Sequence, residues 1–174
     1  MQSTPSEKVR PTARRLREAL FDLLGARLEG ARFLDLCAGS GAIGIEALSR
    51  GAAHTTFVDR SRKMCSFIES NLARCGVTKE QAEVVARDAA QYLSRATVRE
   101  PYAAWDIAFF DPPYATDYAP VLALFGKGLG LRRRGGVLIV EHYCENPLAD
   151  VAGVMRRWRI IRQGDSCLSF YERK

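Results

Sequence analysis

Histidine occurs only twice in the 174 residues, at His54 and His142, and no two of the five cysteines are spaced C-x-x-C. A structural zinc site takes four Cys or His ligands in short-spaced pairs, so none is expected and no metal ligand is assigned. Cys37, Cys65, Cys75, Cys144 and Cys167 are odd in number, and all five read as reduced, mostly buried thiols. Long hydrophobic runs are also missing. The longest, 136–140 and 107–110, are strand-sized, far short of the ~20 residues that span a bilayer. Residues 1–8 have no apolar core, so no signal peptide is expected, and the reading is a cytoplasmic protein with no membrane partner. Lysine is scarce. It supplies five of the 26 basic residues and arginine the other 21.

What is present fits one folded domain. Hydrophobic residues make up 47% and charged residues 26%, which excludes collagen, coiled coil and wholesale disorder. A chain of this length buries roughly 70% of its unfolded surface and needs no staple to fold. The net charge is +6. Arginine's planar fork suits phosphate and guanine edges, which points to nucleic acid. A solvated arginine surface encoded by a GC-rich genome gives the same composition, so charge alone does not decide.

Residues 1–9 read as a flexible polar tail, ahead of a single domain over 10–174 whose first part, 10–30, is a basic helix packed on the rest. Pro11 and Thr12 mark the helix start, with Thr12 as N-cap, and Gly25 the stop. Leu16, Leu20, Leu23 and Leu24 line one face, while Arg14, Arg15 and Arg17 fall largely off it. From residue 32 strands and helices alternate. Strands are expected at 32–37, 55–58, 83–86, 106–110 and 137–140, and helices at 43–50, 61–74, 89–95 and 118–129. Near-continuous apolar strands between helices predict a parallel sheet covered on both faces. The end of the chain differs, because 158–162 and 168–171 flank Gly164-Asp165, a hairpin signal.

The segment Asp35-Leu36-Cys37-Ala38-Gly39-Ser40-Gly41 sits where a strand becomes a helix. Gly39, Gly41 and Gly44 match G-x-G-x-x-G, which fits a dinucleotide pyrophosphate, or no ligand and tight packing. Asp35 favours another ligand. A carboxylate repels a pyrophosphate but accepts hydrogen bonds from the ammonium of S-adenosylmethionine. Asp59, ending the next strand, suits ribose hydroxyls in either cofactor. Asp88 could accept from an adenine amine or cap the helix after it.

Asp111-Pro112-Pro113-Tyr114 directly follows the strand 106–110. Ligands of open α/β sheets lie beyond the carboxyl ends of the strands, so this motif belongs beside the glycine loop. Two prolines fix φ and remove two N–H donors, leaving a rigid turn of acceptors. Asp111 and the Pro112 carbonyl could hold the two hydrogens of an exocyclic amine, and Tyr114 could stack on its ring. A tight turn with a core tyrosine is the plainer reading of those four residues taken alone.

That motif resembles the [DN]-P-P-[YFW] signature of amino-group methyltransferases that use S-adenosylmethionine. The longer string from Leu34 to Ala52, Arg10-Pro11-Thr12 with Arg15, Arg17 and Glu18, and the terminal Leu168-Ser169-Phe170-Tyr171-Glu172 are similar to the bacterial 16S rRNA guanine-N2 methyltransferase family of the RsmD type, which modifies guanine 966. The resemblance covers nearly everything from Arg10 onward. It implies a class I methyltransferase fold, Rossmann-like, with seven strands in a mostly parallel sheet, the last antiparallel, and helices on both faces. It implies S-adenosylmethionine as cofactor, held by Asp35, Ala38, Gly39, Ser40, Gly41, Asp59, Arg60, Asp88 and Ala89. Asp111, Pro112, Pro113 and Tyr114 are the catalytic set, and Arg10, Arg14, Arg15 and Arg17 the expected RNA contacts. The partner is 16S rRNA or the small-subunit particle, met by a monomer. The sequence departs from the family's usual basic, glycine-containing arm before Arg-Pro-Thr, since Lys8 is the one basic residue of 1–9. Arg132-Arg133-Arg134 and Arg156, Arg157 and Arg159 are further basic clusters. Three rivals remain open: methylation of DNA adenine N6 or a protein amide, a non-catalytic RNA-binding module, and an NAD-dependent oxidoreductase.

Overall fold

Leu16, Leu20, Phe21 and Leu24 form the buried stripe of α1 (Pro11–Leu24), and this helix covers the sheet through them. The computed structural model describes residues 11–99, 105–132 and 135–173, with the backbone alone for Pro11, Thr12, Val98 and Arg99. The expected tail 1–9 with Lys8, and Arg10, Arg133 and Arg134, lie outside the described residues. Helix α1 begins at Pro11, the first helical position, where a missing N–H costs nothing. Thr12 is therefore inside the helix rather than its N-cap. Gly25, at φ +47°, ends α1 and opens a 3-10 turn, Gly25–Leu28.

Strands β1 (Arg32–Leu36), β2 (His54–Asp59), β3 (Ala82–Ala86), β4 (Ile107–Phe110) and β5 (Val137–Tyr143) are parallel, in the order β3-β2-β1-β4-β5. Strand β8 (Ser166–Arg173) lies antiparallel beside β5, followed by β7 (Met155–Gln163) and β6 (Val151–Ala152). The expected hairpin is present, with longer strands. Among the described residues the sheet has eight strands, and the two-residue β6 is the addition to the seven expected. The order reverses between β1 and β4, where a doubly wound sheet opens a crevice.

Helices cover both faces. Helices α1, α2 (Ala42–Ser49) and α3 (Arg62–Arg74) pack on the face that carries Phe33, Phe57 and Phe109. Helices α4 (Ala89–Arg99) and α5 (Ala119–Gly126) cover the face of Leu34, Ala108, Phe110 and Val140. All four residues of β4 are buried, which is why that strand reads as a continuous apolar run. Truncating any of these buried phenylalanines to alanine would cost about 3–5 kcal/mol.

The cysteines need a correction. Cys144 and Cys167 form a disulfide, with Cα atoms 5.1 Å apart. Antiparallel pairing of β5 with β8 sets His142 opposite Cys167, so Cys144 at the strand end comes within reach. Cys65 is buried, Cys37 half-buried and Cys75 exposed.

Candidate active site

Beyond the carboxyl ends of β1, β2, β4 and β5 lies a cavity of about 590 Å³, within the range of small-molecule sites. Gly39, Asp59, Arg60, Asp88 and Ala89 line one side, and residues 111–114 with Glu141 the other. The two motifs that the sequence singled out therefore share one space.

Local bonding explains how the glycine loop is held. The Asp59 carboxylate accepts the N–H of Gly39 at 3.0 Å and that of Ser61 at 2.8 Å. Each oxygen keeps a second lone pair for a hydroxyl. Gly39 has φ +54°, and a Cβ there would enter open space, so the backbone offers a ligand an unobstructed approach. Gly44 serves packing instead. A Cβ at that position would lie 2.3 Å from the Phe57 ring. Cys37 takes φ +63°, the left-handed region, at the turn out of β1. Burial, followed by the surrounding acids, pushes its thiol up to about 12, so it is no thiolate nucleophile.

Asp35, Ala38, Ser40 and Gly41 are not on the cavity wall. Asp35 is buried and accepts the N–H of Gly44 at 3.0 Å, so its carboxyl braces the start of α2 from behind the loop. Burial outweighs that bond, and with the charge of Asp59 it raises the Asp35 pKa to about 7. Ser40 is buried, and its carbonyl accepts the Asn71 side-chain N–H at 3.1 Å. Ala38 and Gly41 close the turn by a 2.7 Å bond from Gly41 N–H to Ala38 carbonyl. Asp88 caps α4 by accepting the Gln91 N–H at 3.0 Å, yet it stays exposed on the cavity.

At the other side, Asp111 N–H donates to the Leu36 carbonyl at 3.3 Å, which joins the motif to β1. The Pro113 carbonyl accepts the Thr116 N–H at 2.8 Å, so the turn consumes that carbonyl and not Pro112's. Tyr114 is 65% exposed, and its ring meets that of Tyr143 in a T-shaped contact, 6.1 Å between centroids. That exposure rules out a core role and leaves a ring face for stacking. Asp111 is an exposed residue on the cavity wall, just past the end of β4, although many protein atoms surround its carboxyl. Loss of water, then the charges of Glu141 and Asp35, holds its pKa well above the carboxylate range. Burial raises Glu141 as well, opposed by a hydrogen bond from the Ser166 side chain.

Glu141 was missed in the sequence, although a signal existed. Acids stand near the carboxyl ends of the five parallel strands, at Asp35, Asp59, Asp88, Asp111 and Glu141. On the basic helix, the expected free arginines are partly engaged. Arg14 pairs with Glu18 at 2.9 Å, and Arg17 with Glu46 at 3.2 Å, the same acid that binds Arg50. Arg17 thus ties α1 to α2. Arg15 is exposed, and among the described residues no ion pair holds it.

The model of the family described as "Conserved hypothetical protein 95" matches residues 1–172. The chain is 33% identical over 174 residues to YlbH of Bacillus subtilis, named as a candidate rRNA methyltransferase, with 100% of this chain and 93% of that protein covered. It is 31% identical over 172 residues to ribosomal RNA small subunit methyltransferase D of Escherichia coli K12, covering 97% and 82%. The solved structure of an Escherichia coli protein, yhhF, named as a candidate methyltransferase, superposes with TM-score 0.83 at 31% identity, covering 99% of this chain and 91% of that one.

Proposed function

The chain belongs to the Conserved hypothetical protein 95 family, the RsmD-type methyltransferases, and from that premise we propose that it methylates the exocyclic N2 amine of a guanine in 16S rRNA, with S-adenosylmethionine as donor. The observation that carries this reading is the shared cavity. The glycine loop with Asp59 lies on one side and the 111–114 turn with its exposed Tyr114 on the other. An NAD reading accounts for the first side and leaves the second without a role.

The residues present fit the cofactor. Gly39 offers bare backbone, Asp59 has lone pairs for both ribose hydroxyls, and Asp88 has an exposed carboxylate for the adenine amine. Asp35 supports the loop and sets its charge behind it, so its pull on an ammonium would act through the Gly44 amide and the local field. When bound, S-adenosylmethionine supplies an electrophilic sulfonium methyl.

Guanine N2 is a poor nucleophile because its lone pair is delocalised into the ring. Asp111 and the Pro112 carbonyl would each accept one N2–H, which favours a pyramidal nitrogen and aims its lone pair across the cavity. Tyr114 would stack on the base once it has left its RNA stack. Positioning and fixed electrostatics supply most of the rate gain. No base is needed before transfer, since the amine becomes acidic only once methylated. The raised pKa of Asp111 then makes its carboxylate a competent proton acceptor. Arg15 and its neighbours on α1 would meet the phosphates. The same reading has the protein act as a monomer on the RNA or on the assembling small-subunit particle.

Tritiated methyl transfer to 30S particles, free 16S RNA and DNA, followed by nucleoside analysis, tests this. N2-methylguanosine from the RNA substrates is the expected product. Label in N6-methyladenine, or none, rejects the assignment.

A further inference from the structure

Strands β4 and β5 pair in parallel with Phe110 level with Val140, so the next residues, Asp111 and Glu141, stand side by side, about one strand spacing (~4.8 Å) apart. Both line the cavity, and among the described residues no ion pair neutralises either. Glu141 follows four fully buried strand residues, 137–140, and is only half-buried itself. Placing two carboxyls together without a cation is unfavourable, and a half-buried acid on a sheet has no need of it for solubility. Burial and then the Glu141 charge raise the Asp111 pKa, and burial raises that of Glu141. The Ser166 side chain on β8 partly offsets the rise at Glu141.

The identity of the target base follows from what two adjacent acceptors can meet. Guanine presents N1–H and the N2 amine next to each other, two donor groups in one row. Adenine and cytosine each present an amine beside a bare ring nitrogen, which is an acceptor. We propose that Glu141 is a specificity-determining residue that accepts the N1–H of the target guanine while Asp111 holds the N2 amine. This rests on the guanine-N2 reading above and extends it, since Asp111 and Pro112 recognise an amine but do not tell one amino base from another. A carboxylate facing the bare ring nitrogen of adenine meets lone pair with lone pair, so rejection of the wrong base is built into the β4–β5 strand ends.

2-Aminopurine keeps the N2 amine but carries an acceptor at N1. The experiment measures kcat/KM for the wild type, Glu141→Gln and Glu141→Ala on small-subunit particles reconstituted from 16S RNA with guanine or 2-aminopurine at the methylated position. Glutamine keeps the shape and can still accept from Ser166, and its N–H can donate to the bare N1. The wild type should prefer guanine by ~100-fold or more, because a site built for a donor rejects an analogue lacking it. Glu141→Gln should shrink that preference by at least ~10-fold, through gain on 2-aminopurine as well as loss on guanine. Glu141→Ala should lose on guanine without the gain. The missing O6 of 2-aminopurine affects every variant alike and cancels in the ratio. An unchanged ratio in Glu141→Gln with an active wild type overturns the proposal and leaves the guanine-N2 reading intact. No wild-type turnover on the guanine particle overturns both.

Discussion

The carboxylate of Asp59, at the end of β2, accepts the backbone N–H of Gly39 at 3.0 Å, so one acid both shapes the glycine loop and faces the space above it. Asp59→Ala removes that brace together with the proposed ribose acceptors. Hydrogen bonds to a charged group contribute about 1.5–3 kcal/mol each, so affinity for S-adenosylhomocysteine should fall at least ~10-fold. Titration calorimetry on wild type and variant reads this directly. NAD in the same cell should give no heat with the wild type, and saturable NAD binding without S-adenosylhomocysteine binding would reject the cofactor assignment.

Asp35 predicts a pH-dependent stability. Its folded pKa, about 7, lies above the ordinary 3.8, so between those values the native state holds a proton that the unfolded chain has lost. Stability therefore falls as pH rises through this window and levels off above about pH 7. The shift corresponds to at most about 4 kcal/mol. Asp35→Asn keeps an oxygen for the Gly44 N–H and removes the buried charge. Its Tm should exceed that of the wild type by more at pH 8 than at pH 5. A difference independent of pH would mean that Asp35 titrates normally.

Asp111→Ala should abolish methyl transfer, by a factor of ~100 to 1,000, while cofactor affinity and circular dichroism stay near wild type. Wild-type turnover by this variant would reduce the 111–114 segment to a structural turn.

Tyr114 separates stacking from chemistry. Tyr114→Ala should cost about 1–3 kcal/mol of base stacking, and Tyr114→Phe little, because the ring does the work. Folded protein from both variants with equal loss of kcat/KM would assign the phenol hydroxyl a chemical role.

The basic helix divides by its ion pairs. Arg15→Ala should lower the salt slope of RNA binding by about one unit and leave Tm unchanged. Arg17→Ala breaks the bond to Glu46 and should lower Tm, with a smaller change in slope. Filter binding across a salt series, with thermal melts beside it, distinguishes the two. Equal salt slopes in wild type and Arg15→Ala would place the RNA contact elsewhere.

Sequence alone determined the wound order of strand and helix, the hairpin at the end of the chain, the glycine loop and the Asp111 to Tyr114 motif. Each is a local matter of apolar periodicity, turn chemistry or a contiguous string, and such signals survive in one dimension. Only tertiary structure decided which acids share a space. Asp35 and Asp59 both sit at the end of a strand in sequence, yet one is sealed against Gly44 and the other opens on the cavity, because the loop folds over the first and beside the second. Glu141 joined the site through the register of β5 against β4, which no spacing along the chain encodes. The Cys144–Cys167 bond arose in the same way, from antiparallel pairing of residues 23 apart in sequence. Arg17 looked free because its partner, Glu46, lies on another helix. Desolvation and charge coupling depend on what surrounds a group in three dimensions, so the chemistry of these side chains was settled only when the strands paired.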